Sequence, residues 1–228
     1  MSFMPYVSPD QMMKDRSEYA HKGIARGRSV IGMEYAHGLL FVAENPSSTL
    51  HKISEIYDRI AFAGVGKYNE FQMLRVAGIR QADLKGYSFA REDVNARSLA
   101  DAYGQTLGQV FTHEMKPYEV EILLAQVGAT QDADELYHIT YDGTVMDEEG
   151  ATVLGGQAET IAARIESRYD PAIDGASAIR LGAELLAEEG SPPLAGSQLE
   201  VGMLVRARPR RAFRRIEGDE LEAILAAS

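Results

Sequence analysis

Cysteine is absent from this sequence, which excludes a disulfide framework, a thiol nucleophile and any zinc site built on thiolates. Long apolar runs are absent too. No stretch approaches the ~20 residues that span a bilayer, and no Lys/Arg-led apolar leader is visible, so no membrane partner is expected. Positive charge is scarce: 23 Lys and Arg stand against 34 Asp and Glu, a formal net charge of −11. That balance argues against nucleic acid as a partner, and the cytoplasm is the simplest location. The five histidines, His21, His37, His51, His113 and His138, have no metal-ligand spacing. His113-Glu114 lacks the second histidine of a zincin helix, so neither a metal nor another cofactor is expected.

Motifs for common chemistries also fail at the residue level. Gly64-Val65-Gly66-Lys67 has Ala61 where a phosphate loop needs its first glycine, and Tyr68 in place of Ser or Thr. It reads as a tight strand-to-helix turn. Gly175-Ala176-Ser177-Ala178-Ile179 misses the nucleophile-elbow pattern at its last position. The acid pair Glu148-Glu149 reads as part of a solvated turn. Arg206, Arg208, Arg210, Arg211, Arg214 and Arg215 form a local basic segment, read as a solvated or inter-subunit strand edge.

What is present is enough apolar residue for a large core: 45% of 228 residues. The chain is organised around Ser29 to Val42, two apolar runs flanking Ala36-His37-Gly38, which reads as a β-hairpin. The second run is apolar at four successive positions, so both of its faces should be buried. In front of it Ser8 is placed to cap a helix, with Pro9 at the first turn, Asp10 at the positive dipole end and Gln11 completing a capping box. At about 100° per residue, Met12, Met13, Tyr19, Ala20 and Ile24 share one arc of roughly 140°.

Further strands are expected at 52–56, 59–64, 119–127, 135–140, 151–154, 199–205 and 212–216. Helices are expected from about 66 to 84, 92 to 113, 157 to 168 and 174 to 189, with a short one from Asp219. Gly104 and Gly108 border the apolar face of the second of these and would admit a close neighbour. Helix pairs inserted between strand blocks predict an α+β chain: a four-layer αββα sandwich of two antiparallel sheets between helix layers, with an N-terminal extension helix. The expected divisions are 1–7, a helix over 8–25, the sandwich over 26–216 and a C-terminal helix or tail over 217–228.

Several stretches resemble one family, the α-type subunits of proteasomes of the actinobacterial kind, within the N-terminal nucleophile hydrolase superfamily. They are Ser8-Pro9-Asp10, Glu18-Tyr19-Ala20, Gly23-Ile24-Ala25-Arg26-Gly27, Phe41-Val42-Ala43-Glu44-Asn45, 50–58, Lys116-Pro117-Tyr118-Glu119-Val120, Tyr141-Asp142-Gly143-Thr144 and Gly155-Gly156. The resemblance runs over about residues 3 to 205. The opening departs from the archaeal form at Gln11, and the segment after Val205 matches least.

The resemblance implies a non-catalytic subunit that forms homo-heptameric rings on the catalytic β rings of the 20S core, a threonine-type endopeptidase complex. It implies a gate in Ser2, Phe3, Met4, Pro5, Tyr6 and Val7. It implies docking of the C-terminal tails of a hexameric AAA ATPase at Lys52, with Arg26 as companion. Protein substrates tagged by a prokaryotic ubiquitin-like protein are implied as well. The superfamily's nucleophile position falls near Arg28-Ser29, with an acid near Glu44 and a lysine near Lys52. Neither Arg28 nor Ser29 is threonine, and a helix precedes them, so no catalytic residue is expected. Two alternatives are an autoprocessed hydrolase with its own activity and a stand-alone binding domain with no ring.

Overall fold

The computed structural model describes residues 8–227. Six helices and ten strands follow in the order α1 (Pro9–Ile24), β1 (Val30–Tyr35), β2 (Gly38–Glu44), β3 (Ile53–Tyr57), β4 (Ile60–Gly66), α2 (Tyr68–Ser88), α3 (Ala96–His113), β5 (Val120–Gln126), β6 (Glu135–Ile139), β7 (Val145–Asp147), β8 (Ala151–Leu154), α4 (Ala158–Glu166), α5 (Gly175–Leu186), β9 (Leu199–Val205), β10 (Phe213–Ile216) and α6 (Gly218–Ala226). One sheet has the order β10-β9-β2-β1-β8 and the other β3-β4-β5-β6-β7. Every strand pairing is antiparallel.

The expected sandwich of two sheets between helix layers is therefore present, and its core divides accordingly. Leu39, Phe41 and Ala43 of β2 meet Ile53, Ala61, Ala63, Leu123 and Ala125 between the sheets. Ile31, Leu40 and Val42 face the other way, onto Ile179 and Leu185 of α5 and Ile161 of α4. Phe62, Ile122 and Leu124 carry α2 and α3 through Phe71, Leu99, Tyr103 and Leu107. β2 is buried on both faces because it has helices on one side and a sheet on the other.

Local chemistry explains where the elements begin. The hairpin turn is two residues, Ala36-His37, because Gly38 already pairs with Tyr35. α3 starts at Ala96 rather than near Glu92. Asn95 caps it by accepting from Ser98 N at 2.9 Å, and 91–93 form a separate single turn. The link from β4 to α2 is the tight turn expected, with Gly66 at φ +105 against the Glu119 carbonyl. Gly104 and Gly108 do admit a close neighbour, the Asp142-Gly143 turn. β7, only three residues long, is the strand that the sequence pattern does not reveal.

α1 lies across one end of the sandwich. Ser8 caps it at 3.2 Å, but the Gln11 side chain turns to Asp15 and leaves the capping box half made. Arg16 donates to the Val110, Phe111 and Glu114 carbonyls, covering the negative end of α3, and Ser17 meets the Tyr141 hydroxyl at 2.6 Å. Of the apolar arc, only Ala20 and Ile24 are buried. Met12, Met13 and Tyr19 remain 46%, 38% and 47% exposed.

In the basic segment near the C-terminus Arg208, Arg210, Arg211 and Arg214 are exposed, whereas Arg206 and Arg215 are drawn into internal ties. Arg206 makes a two-pronged pair with the fully buried side chain of Asp134 at 2.6 and 2.7 Å and donates to the Gly128 and Thr130 carbonyls. Arg211 pairs with Glu55, Arg214 with Glu220 and Arg215 with Glu200. Asp134→Ala leaves the Arg206 guanidinium without its counter-charge, and we expect a loss of roughly 3–5 kcal/mol in urea unfolding. A loss below about 1 kcal/mol would contradict that role.

Candidate functional site

The superfamily's nucleophile position comes first. Ser29 is only 6% exposed and sits immediately before β1. Its carbonyl accepts from Glu44 N at 3.1 Å. Gly155 packs on Ser29, where an added Cβ would come within 2.9 Å of Ser29 Cα. Gly156 N donates to the Gly27 carbonyl at 3.2 Å, which ties the segment joining α1 to β1 to the residues just after β8.

Lys52 stands beside this position. It ends the loop from Asn45, just before β3, and its Nζ donates to the Arg28 carbonyl at 2.6 Å. The Arg28 guanidinium pairs with Glu44. Burial pushes the half-buried Lys52 ammonium down to about 8. Glu44 and Glu200 pull the other way, and Arg28 adds to the depression. The structure thus gathers Arg28, Ser29, Glu44 and Lys52 at one end of the first sheet, as the resemblance implies.

The loop that carries Lys52 is held from within and from β9. Asn45 Oδ1 accepts from Ser47 N at 3.0 Å, and Asn45 Nδ2 donates to the Leu50 carbonyl at 2.7 Å. Ser47 Oγ accepts from Leu50 N at 3.0 Å. Glu200, 7% exposed, accepts from Asn45 Nδ2, Lys52 N, Ile53 N and Arg215 Nη1 at 2.7, 2.8, 3.1 and 2.6 Å. His51 Nδ1 lies 3.2 Å from the same carboxylate. A cavity of about 440 Å³ opens here between Asn45, His51, Glu200, Arg215 and Glu217.

Arg26 is exposed just past α1, and the cation that adjoins Lys52 is Arg28. Ser2, Phe3, Met4, Pro5, Tyr6 and Val7 lie outside the described residues. Sequence reasoning missed Glu200 and Arg215 as parts of the site. The signal was there: Glu200 is a lone carboxylate in the otherwise apolar, fully buried run 199–204.

Other candidates resolve elsewhere. Asp174 caps α5 by accepting from Ala176 and Ser177, which accounts for the Gly175–Ile179 stretch. Glu148 is no bystander in a solvated turn. It lies 3.4 Å from His138, whose other side faces Glu121 at 3.6 Å, and the two carboxylates hold His138 up at about 9 against burial. Among the described residues no group of His, Asp or Glu has metal-site geometry, and no helix is long and apolar enough to cross a membrane.

The comparisons with known proteins agree with this layout. The family described as "Proteasome subunit" matches residues 24–204. A "Proteasome subunit alpha" from Sanguibacter keddieii is 57% identical over 99% of this chain and 90% of its own. One from Streptosporangium roseum is 55% identical over 97% of this chain and 85% of its own. One from Kineococcus radiotolerans is 52% identical over 99% of both. The match spans both sheets, the helices packed on them and the Lys52 site, and the chain belongs to the proteasome subunit family.

Proposed function

We propose that this chain is a non-catalytic α-type subunit of a 20S proteasome core. It forms seven-membered rings that cap catalytic β rings, gates entry and docks a hexameric AAA ATPase in the cytoplasm. The observation that carries the reading is Ser29: a buried serine within a continuous chain, with α1 preceding it. In the superfamily's chemistry the nucleophile is an N-terminal threonine whose own free amine serves as base. Ser29 has Arg28 bonded to its nitrogen and supplies no such amine.

Assembly is supported by α1, which leaves Met12, Met13 and Tyr19 exposed on its apolar side. A neighbouring subunit in a ring is the surface they fit, and the 8–25 division is then the ring helix on the 26–216 sandwich, with 217–228 as its tail. The names of the 52–57% identical relatives support the α assignment. The substrates are proteins carrying a prokaryotic ubiquitin-like tag.

Lys52 is the receptor for an ATPase tail carboxylate. An ammonium that is partly stripped of water and held by one carbonyl gains from a carboxylate partner. Arg26, exposed at the end of α1, adds positive charge to the approach. Residues 2–7 form the gate. Deleting Ser2 to Val7 speeds hydrolysis of peptides longer than four residues severalfold and leaves assembly intact, as followed by fluorogenic peptide turnover and native mass. An unchanged rate with such a peptide would overturn the gate.

A further inference from the structure

The docking reading accounts for the Lys52 ammonium but not for what holds it in place. Among the described residues, the side chain of Lys52 rests on a single hydrogen bond, to the Arg28 carbonyl. Its backbone is gripped on both sides: Lys52 N donates to Glu200 at 2.8 Å, and the Lys52 carbonyl accepts from Gly64 N at 3.1 Å. The first grip comes from the other sheet. Leu199, Val201 and Met203 face the helix layer, so Glu200 on alternate register faces the inter-sheet layer, where β3 begins.

A carboxylate there is costly unless its lone pairs are filled. Every group that fills them is a donor, and each holds a different part of the site. Oε2 takes Asn45 Nδ2 and Lys52 N, the two ends of the loop. Oε1 takes Ile53 N, the first residue of β3, and Arg215 Nη1 from β10. Arg215 Nη2 in turn donates to the Ile53 carbonyl at 2.7 Å. The loop length, its mouth and the start of the strand are all referred to one residue.

We propose that Glu200 is the positioning residue of the docking site: it clamps both ends of the 45–52 loop and so fixes the Lys52 ammonium where an incoming carboxylate meets it. This inference rests on the docking reading for its ligand, a peptide with a free C-terminal carboxylate. Glu200 does not touch that ligand. It acts through the backbone of Lys52 and, as a buried negative charge, through the charge state of Lys52. The other ionisable groups facing Lys52 are Glu44 and Arg28, and His51 shares Glu200.

The test compares Glu200→Gln and Glu200→Asp in the full chain. Gln places an amide NH2 against donors at one of the two oxygens, whereas Asp keeps the charge on a shorter arm. Two readouts go beyond stability. One is the pH profile of Lys52 acylation, read by peptide mass mapping. The other is affinity for a peptide of the last eight residues of the ATPase from the same organism, with a free or an amidated C-terminus.

For Glu200→Gln the Lys52 profile moves to lower pH and the free-carboxylate peptide binds at least tenfold more weakly. The amidated peptide, weak to begin with, is unchanged. Glu200→Asp falls between the two, and if the Gln variant does not fold, the Asp variant decides on the same readouts. An unshifted Lys52 profile together with unchanged peptide affinity in a folded variant overturns the proposal. If Lys52→Met loses the peptide while the Glu200 variants keep it, the docking reading stands and the positioning role fails. If Lys52→Met keeps the peptide, the docking reading fails, and the Lys52 profile alone decides whether Glu200 sets its position.

Discussion

Replacing Lys52 with methionine is expected to abolish ATPase-stimulated protein degradation by the assembled core. Methionine keeps most of the length and the apolar contacts of the stem, and removes the charge together with the hydrogen bond to the Arg28 carbonyl. At an effective dielectric near 20, two charges about 4 Å apart interact by roughly 4 kcal/mol. After desolvation we expect about 2–3 kcal/mol of that to survive as binding energy, or roughly 30- to 150-fold in affinity for a tail peptide with a free carboxylate. Lys85→Met is the control, because Lys85 bonds Ser98 on the helix layer and lies outside the site.

The pH dependence adds a second, independent signature. Docking needs the ammonium, and the free site holds it only up to about pH 8. Affinity therefore falls about tenfold per pH unit above that value, where an ordinary lysine would hold past pH 10. The sign for stability follows from the same shift. Lys52 has a lower pKa folded than unfolded, so the unfolded state binds more protons between about 8 and 10.5 and stability rises with pH across that window. Lys52→Met removes the titrating group and so loses that rise. Unchanged peptide affinity in Lys52→Met, or affinity flat from pH 7 to 10 in the parent, would contradict the assignment.

The second large effect is an absence of turnover. We expect the purified chain, free of β subunit, to hydrolyse fluorogenic peptides at no more than the buffer rate, and Ser29→Thr not to awaken it. Changing the hydroxyl leaves Arg28 on the nitrogen, so no free amine is created to act as base. Burial of Ser29 keeps substrate from the hydroxyl as well. Intact mass separates this account from an autoprocessed hydrolase. The mass stays at 25.0 kDa, whereas self-cleavage before Ser29 would remove 28 residues. Peptidase activity that co-purifies with a chain trimmed in that way would defeat the non-catalytic reading.

Much of the fold was legible because its strands carry continuous apolar runs. Leu39-Leu40-Phe41-Val42 and Ile122-Leu123-Leu124 are buried on both faces, as a sheet covered on both sides requires, here by a helix layer and a second sheet. β7 was not legible, since its three residues are part-buried or exposed and have no period to read. Lys52 and its acid neighbour Glu44 were picked out only through the family resemblance, since neither has a local pattern that marks it. Glu200 was not, because it lies 148 residues from Lys52 and reaches it only when two sheets stack. The arginines failed in the same manner: Arg206 looks solvated in sequence and finds Asp134 only in the fold.

The most direct measurement of the central claim is peptidase activity and native mass for this chain, for its β subunit and for the two together. The account predicts no activity from this chain alone, and from the mixture a particle of stacked seven-membered rings with peptidase activity that inhibitors of an N-terminal threonine abolish. Turnover by this chain alone, or a mixture in which it stays a 25.0 kDa monomer apart from the β subunit, would contradict it.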